Sequence, residues 1–232
     1  MRDNRKKCLV CKEPMALWFY GEPNYEAIKE DLMFRRIILG GCCIFDDQPK
    51  WGCETCCISY RKDGMGYLDR KLIDKLDGQT PYQLPEKFKQ ILTEDFLTIP
   101  KSTRSVGFHF HQGGFFSSME DIRYLDGILI CNHYKHQIYY YAHEHPEIPT
   151  YIYILSAKVK KKLDTFISTS KWKRNYVILE IMDGTQWELK RIFQKKQKNS
   201  DGSNDFPEVY EEFMVLLDEI DPELMGWDGC IQ

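Results

Sequence analysis

Cys8-Leu9-Val10-Cys11 and Cys53-Glu54-Thr55-Cys56 are two cysteine hooks with 41 residues between them. A Cys-x-x-Cys turn aims two thiolates at one point and directs backbone N–H groups toward the sulfurs. Two such turns supply four soft ligands, a set that closes a tetrahedral zinc site and leaves no position open for water or substrate. The hooks therefore predict one structural zinc per chain, held by Cys8, Cys11, Cys53 and Cys56. Two other chemistries use the same residue type. A redox dithiol needs a single hook and normally stands beside a βαβ unit, which is missing from the pattern here; an iron–sulfur cluster would use all four sulfurs. Cys57 directly follows the second hook and competes with Cys56 as fourth ligand. Cys42 and Cys43 lie in an apolar run and read as small core residues. Cys131 and Cys230 have no partner that spacing identifies.

The histidines form a second constellation. All six fall between 109 and 145: His109, His111, His133, His136, His143 and His145. Alternate residues of a strand share a face, so His109 and His111 can present two imidazoles together, and His143-Glu144-His145 adds a carboxylate. That grouping suits a second, catalytic metal in a hydrolase. The plainer reading is a half-exposed sheet with histidines on its surface and the intervening Phe and Tyr residues in the core. There is no H-E-x-x-H, no G-x-S-x-G elbow, no phosphate-cradling loop and no dinucleotide fingerprint. Cys131 two residues before His133 reads as a buried cysteine rather than a thiol–imidazole pair. The sequence thus predicts a non-catalytic protein.

Nine cysteines are an odd count for a closed disulfide set and fit metal binding in a reducing compartment. The basic start, Met1–Cys8, has no apolar core behind it, and no apolar run approaches spanning length. A cytoplasmic protein without membrane attachment is expected. The net charge of −3 conceals an asymmetry: residues 156–198 carry twelve Lys/Arg and four Asp/Glu, and residues 199–232 carry ten acids and no Lys/Arg. One reading sets an acidic C-terminal helix against a basic surface in the same chain. The other is a nucleic-acid face at 158–174, containing Lys158–Lys162 and Lys171–Arg174. The first is favoured, because nucleic-acid binders carry an uncompensated basic excess. The expected partner is another protein, with nucleic acid as the alternative.

The elements that must position the hooks are legible between them. Residues 23–34 predict a helix with Asn24 as N-cap and Tyr25, Ile28 and Leu32 on one face; 35–45 predict a strand broken at Gly40-Gly41, and 46–53 a turn into the second hook. Helical pattern continues at Leu72, Ile73 and Leu76, breaks at Gly78 and Pro81, and resumes at Phe88, Ile91 and Leu92. From 105 to 155 aromatic, strand-like runs alternate with turns. Ser156 caps a helix burying Val159, Leu163, Phe166 and Ile167. Residues 176–193 predict a hairpin with a three-residue loop, Asp183-Gly184-Thr185, pairing Ile181 with Trp187 and Leu179 with Leu189. Residues 198–205 read as a turn cluster. A last helix from about Pro207 buries Val209, Phe213, Leu216, Leu217 and Ile220.

The expected class is α+β: an N-terminal zinc ribbon with an inserted helix over 1–68, a helical connector over 69–100, and an antiparallel sheet packed with helices over 101–232. With Cys8/Cys11, Tyr20-Gly21-Glu22-Pro23, Gly40-Gly41-Cys42 and Pro49-Lys50-Trp51-Gly52-Cys53…Cys56, the first quarter of the chain resembles a zinc-ribbon module of uncharacterised bacterial proteins. That module commonly has Gly after each hook, where Lys12 and Cys57 stand here. Asp183-Gly184-Thr185-Gln186-Trp187, Gly202-Ser203-Asn204 and Pro207 resemble an uncharacterised bacterial domain. Neither resemblance implies an activity.

Overall fold

The computed structural model describes residues 5–43, 46, 48–75, 82–98, 102–114, 118–134, 148–178 and 184–225. The chain divides into two compact units, Met1–Lys87 and Phe88–Gln232. Both combine helices with strands, so the α+β class stands, but the sheets are mixed rather than antiparallel.

In the first unit the strands are β1 (Ala16–Phe19), β2 (Ile37–Leu39), β3 (Trp51–Cys53), β4 (Ile58–Tyr60) and β5 (Gly66–Leu68), in the order β5-β4-β3-β1-β2. β1 and β2 are parallel because helix α1 (Tyr25–Met33) carries the chain back between them. The other neighbours are antiparallel. Met15, Trp18, Ile38, Ile58, Tyr60, Met65 and Leu68 form the core with Leu72 and Ile73 of α2 (Arg70–Asp74). Asp69 caps α2 by accepting from the Lys71 N–H. The predicted helix forms as α1 with Asn24 at its N-cap position, although Asn24 makes no side-chain cap bond and α1 buries none of its residues, Tyr25 being 62% exposed. One expectation fails here. Cys42 and Cys43 are exposed, not core, because the strand stops at Leu39 before the two glycines. Leu76, Gly78 and Pro81 lie outside the described residues.

The described strands of the second unit are β6 (Val106–Gly114), β7 (Met119–Leu125), β8 (Ile128–Tyr134), β9 (Tyr151–Ile154), β10 (Asn175–Val177), β11 (Thr185–Phe193) and β12 (Lys196–Ser203). Their order is β10-β12-β11-β6-β7-β8-β9. Helix α3 (Glu86–Leu92) buries Phe88 and Ile91. Helix α4 (Ala157–Thr169) meets helix α5 (Tyr210–Asp218) where Phe166 stacks on Phe213 of α5. Ser156 caps α4, its hydroxyl accepting from the Val159 N–H, and Leu163, Phe166 and Ile167 are buried as the helical period requires. Phe213 meets Phe108, Phe110, Phe166 and Trp172 at centroid distances of 5.3–5.9 Å. Val159, Val209 and Leu216, predicted in the core, are half-buried.

The predicted hairpin over 176–193 is not a neighbouring pair. β12 lies between β10 and β11: Tyr176 and Trp187 both sit opposite Gly202. The turn cluster at 198–205 is thus largely strand. Gly202 makes this possible, since a Cβ there would stand 2.2 Å from Trp187 Nε1. Trp187 is core as expected, its indole donating to the Asp205 carbonyl at 2.9 Å. The hairpin that does form joins β11 to β12 through Gln194 and Lys195, at φ 51° and 61°. Neither residue type advertises a left-handed turn, so the period and the Asp-Gly signal pointed elsewhere. Ile181 and Leu179 lie outside the described residues.

Candidate metal centre

The two hooks meet because of strand pairing. The first is the tip of a tight hairpin in which Lys7 bridges Pro14, the Cys8 N–H donates to Glu13 O at 2.8 Å and the Met15 N–H to Lys6 O at 2.8 Å. That hairpin leads straight into β1. The second hook closes the β3–β4 hairpin, where Cys53 pairs with Ile58. β1 runs antiparallel to β3 with Ala16 opposite Gly52. The start of one strand therefore lies beside the end of the other, and 41 residues of separation cost nothing in space.

The Sγ atoms of Cys8, Cys11, Cys53 and Cys56 all lie within 4.8 Å of one another, and Cys11 and Cys53 are 3.5 Å apart. Tetrahedral zinc with Zn–S of about 2.3 Å spaces its sulfurs by about 3.8 Å, so the set fits such an ion without backbone rearrangement. Cys8, Cys53 and Cys56 are buried and Cys11 is partly exposed. The Val10 N–H donates to Cys8 Sγ at 3.4 Å. Tyr60, 1% exposed, places its hydroxyl 3.3 Å from the same sulfur while accepting from the Leu9 N–H at 3.3 Å. Its proton is thus free to point at a thiolate. Tyr60 is the site residue that sequence reasoning missed; no spacing rule marks it, and only the β4 register brings it beneath the first hook.

Lys12 (φ 68°) and Cys57 (φ 52°) both adopt the left-handed conformation. The turn after each hook demands it whatever residue stands there, at a cost of about 1–2 kcal/mol for a non-glycine residue. The same geometry separates the two candidates for fourth ligand. Cys57 is fully buried but lies outside the four-sulfur group, and its thiol donates to Glu54 O at 3.5 Å. Burial, with Asp69 and Glu54 nearby, pushes it up to about 12.

Charge within the cluster is unevenly shared. Hydrogen bonds from Cys53 and Cys56 hold the Cys8 thiol far below its ordinary range. Cys53 is pushed up to about 12: its bond to Cys56 lowers it, but its bond to Cys8, burial and the Cys8 charge outweigh that. Cys56 is driven higher still by Cys53 and Cys8. Physically, one thiolate accepts the protons of its neighbours, and only a cation at the centre lets all four sulfurs ionise together.

Among the described residues no other group of three or more Cys, His, Asp or Glu reaches metal-donor spacing. His109 and His111 do lie together on β6, ring centroids 5.6 Å apart. His109 is buried rather than half-exposed: its Nε2 lies 3.3 Å from Asp121 Oδ1 without hydrogen-bond alignment. Asp121 is gripped by both Arg123 Nε and Nη2, at 2.9 and 3.0 Å. His111 Nε2 is 3.5 Å from Glu188 Oε2, and burial, with His109 beside it, lowers it to about 4. His133 sits apart on β8, its Nε2 3.1 Å from the Leu224 carbonyl, to which Cys131 also donates at 3.5 Å. Burial raises the Cys131 thiol well above its ordinary range. The carbonyl between them accounts for the Cys131–His133 spacing. His136, His143, His145 and Cys230 lie outside the described residues.

The basic stretch is divided. Lys162 donates to both carboxylate oxygens of Glu219 at 2.8 and 2.6 Å, tying α4 to α5, and Lys160 pairs with Asp164. Lys158, Lys161, Lys171, Lys173 and Arg174 are exposed. Among the described residues no helix is long and apolar enough to cross a membrane. The chain matches no protein-family model, no curated protein and no solved structure.

Proposed function

We propose that Cys8, Cys11, Cys53 and Cys56 hold one structural zinc ion, that the first unit is a zinc ribbon, and that the chain serves in a reducing compartment as a non-catalytic module for binding another protein. The observation that carries this reading is the closed donor set: four sulfurs within 4.8 Å of one another, three of them buried. Such a site spends every coordination position on the chain itself, so its product is rigidity rather than turnover. The Tyr60 hydroxyl and the Val10 N–H would stabilise a ligated Cys8 sulfur in the way outer partners steady metal ligands. The Lys162–Glu219 pair supports the internal neutralisation of the basic stretch over a nucleic-acid face.

Elemental analysis of untagged protein purified without chelator tests the centre: one zinc per chain is expected, and none in Cys56→Ser. Iron, or two metals per chain, overturns it. For the role, DNA and RNA should bind weakly or not at all. An affinity that falls steeply with salt and disappears in a Lys171/Lys173/Arg174 triple alanine variant would establish the nucleic-acid alternative instead. Hydrolytic turnover abolished by His109→Ala would establish the enzyme.

A further inference from the structure

The first unit also holds a small cavity of about 280 Å³, lined by none of the four clustered cysteines. Its walls include Trp18, Tyr20, Pro49, Tyr67, Asp69 and Lys71. The rings of Trp18, on β1, and Tyr20, just past its end, run nearly parallel, with centroids 6.1 Å apart and planes at 18°. Tyr20 is fixed by donating its hydroxyl proton to Pro49 O at 2.9 Å. Trp18 Nε1 donates to Ser59 Oγ at 3.1 Å, and Ser59 Oγ donates to Asp69 Oδ2 at 2.6 Å. This relay locks an indole and a carboxylate in place before any ligand arrives, the condition under which binding loses least to ordering.

The carboxylate is the unusual member. Asp69 is 7% exposed. It accepts from Ser59 and from the Lys71 N–H, yet among the described residues no cationic side chain lies within ion-pair distance of it. A buried carboxylate ordinarily has a cationic partner. Burial, then the Asp69 charge, pushes the Tyr20 hydroxyl up to about 12, and the same two causes push Tyr67 up to about 12. Both phenols stay neutral, so the inner wall offers π faces and one negative charge. The Trp18 ring meets one cation outside this cavity: Lys75 Nζ, not among the lining residues, lies 5.2 Å from its centroid.

Aromatic walls with a carboxylate at their base are the chemistry that selects alkylated ammonium groups, which attract ring quadrupoles and shed water readily. We propose that the cavity bounded by Trp18, Tyr20, Tyr67 and Asp69 binds an alkylammonium group, carried either by a methylated lysine side chain or by a free quaternary amine. Its volume, below that of whole-ligand pockets, suits a headgroup rather than a complete small molecule. The inference goes beyond the adaptor reading and does not depend on it.

The test titrates the zinc-loaded 232-residue chain with choline, with its neutral isostere 3,3-dimethylbutan-1-ol, and with a peptide containing trimethyllysine. The Trp18 indole N–H resonance is the readout. Saturable shifts are expected with at least one cation, and binding about tenfold weaker or worse for the isostere. Asp69→Asn, which keeps an N-cap residue, should cost a similar factor while zinc content and spectral dispersion stay those of the wild type. Choline binding without peptide binding assigns a free amine, and peptide binding assigns a modified protein; either supports the site. Lys71→Met removes the ammonium at the rim and guards against self-occupancy. If neither wild type nor Lys71→Met binds either cation, or if the isostere binds equally well, or if Asp69→Asn binds unchanged, the proposal is overturned.

Discussion

In Phe88–Gln232 the centre of the fold is a cluster of rings, with Phe213 of α5 wedged among Phe108, Phe110, Phe166 and Trp172. In Met1–Lys87 the organising point is four sulfurs at the tips of two hairpins, while α1 contributes no buried residue at all. A unit of that size buries a smaller share of its surface than a large domain, and short strands of three or four residues add little. The two units should fail for different reasons: one, with the centre built as proposed, through loss of an ion and its thiolates, the other through loss of apolar volume.

The most damaging change is expected to be Cys56→Ser. With the centre built as proposed, it releases the zinc and melts the first unit, since structural zinc in small modules contributes on the order of 10 kcal/mol. Strand signals from β1 to β5 should vanish from the amide spectrum while those of β6–β8 persist. Simultaneous melting of both sets would break the comparison. Next comes Phe213→Ala, expected to cost about 3–5 kcal/mol by removing the hub of the ring cluster. Denaturant titration should show this in the second unit, with bound zinc unchanged at concentrations below the transition.

A smaller effect separates two neighbouring carboxylates by pH. Glu120 is 5% exposed, and burial pushes it up to about 7. Its folded value lies above the unfolded one, so its contribution is complete below the ordinary glutamate range and is lost as pH rises through 7. Glu120→Gln should therefore stabilise the second unit at pH 8, by about 1–3 kcal/mol, and leave it little changed at pH 4. Asp121 has the opposite sign. Burial would raise it, but contacts from His109 and Arg123 outweigh that and hold it well below the ordinary carboxylate range. Its contribution is present above that range and lost as pH falls through it, so Asp121→Asn should remove part of the acid arm of the stability profile. The smallest effect is expected from Lys12→Gly, which frees the exposed residue after the first hook from its left-handed strain. A gain of about 0.5–1 kcal/mol in the first unit is expected, read by thermal melting. A loss would show that the Lys12 Nζ bond to Leu9 O matters more than the strain.

How much of this was legible follows from the range of each interaction. Ser156 as a cap, the buried face Leu163–Phe166–Ile167 and the apolar stripe of α5 depend on residues within a few positions of one another, where helical period is a direct readout. The Cys-x-x-Cys spacing is equally local, so the four sulfurs could be grouped before any fold was known. α1 shows the limit: its apolar period is real, yet Ile28 and Leu32 are only half-buried and Tyr25 stays exposed, and period alone does not say how well a face is covered. β10 and β11 were joined by their proximity in sequence, and β12 displaced that pairing because Gly202 leaves room for the Trp187 indole.

Sequence by itself determined that the two hooks can serve one ion, which faces of α4 and α5 turn inward, and that the chain mixes helices with strands. Only the tertiary structure decided that Cys56 rather than Cys57 joins the cluster, that Tyr60 lies beneath Cys8, and that Asp69 faces Trp18, Tyr20 and Tyr67. The first depends on the left-handed turn after the hook, and the other two on register between strands, where a shift of one residue turns a side chain to the opposite face. Register is set by packing across the whole sheet, and no short stretch of residues encodes it.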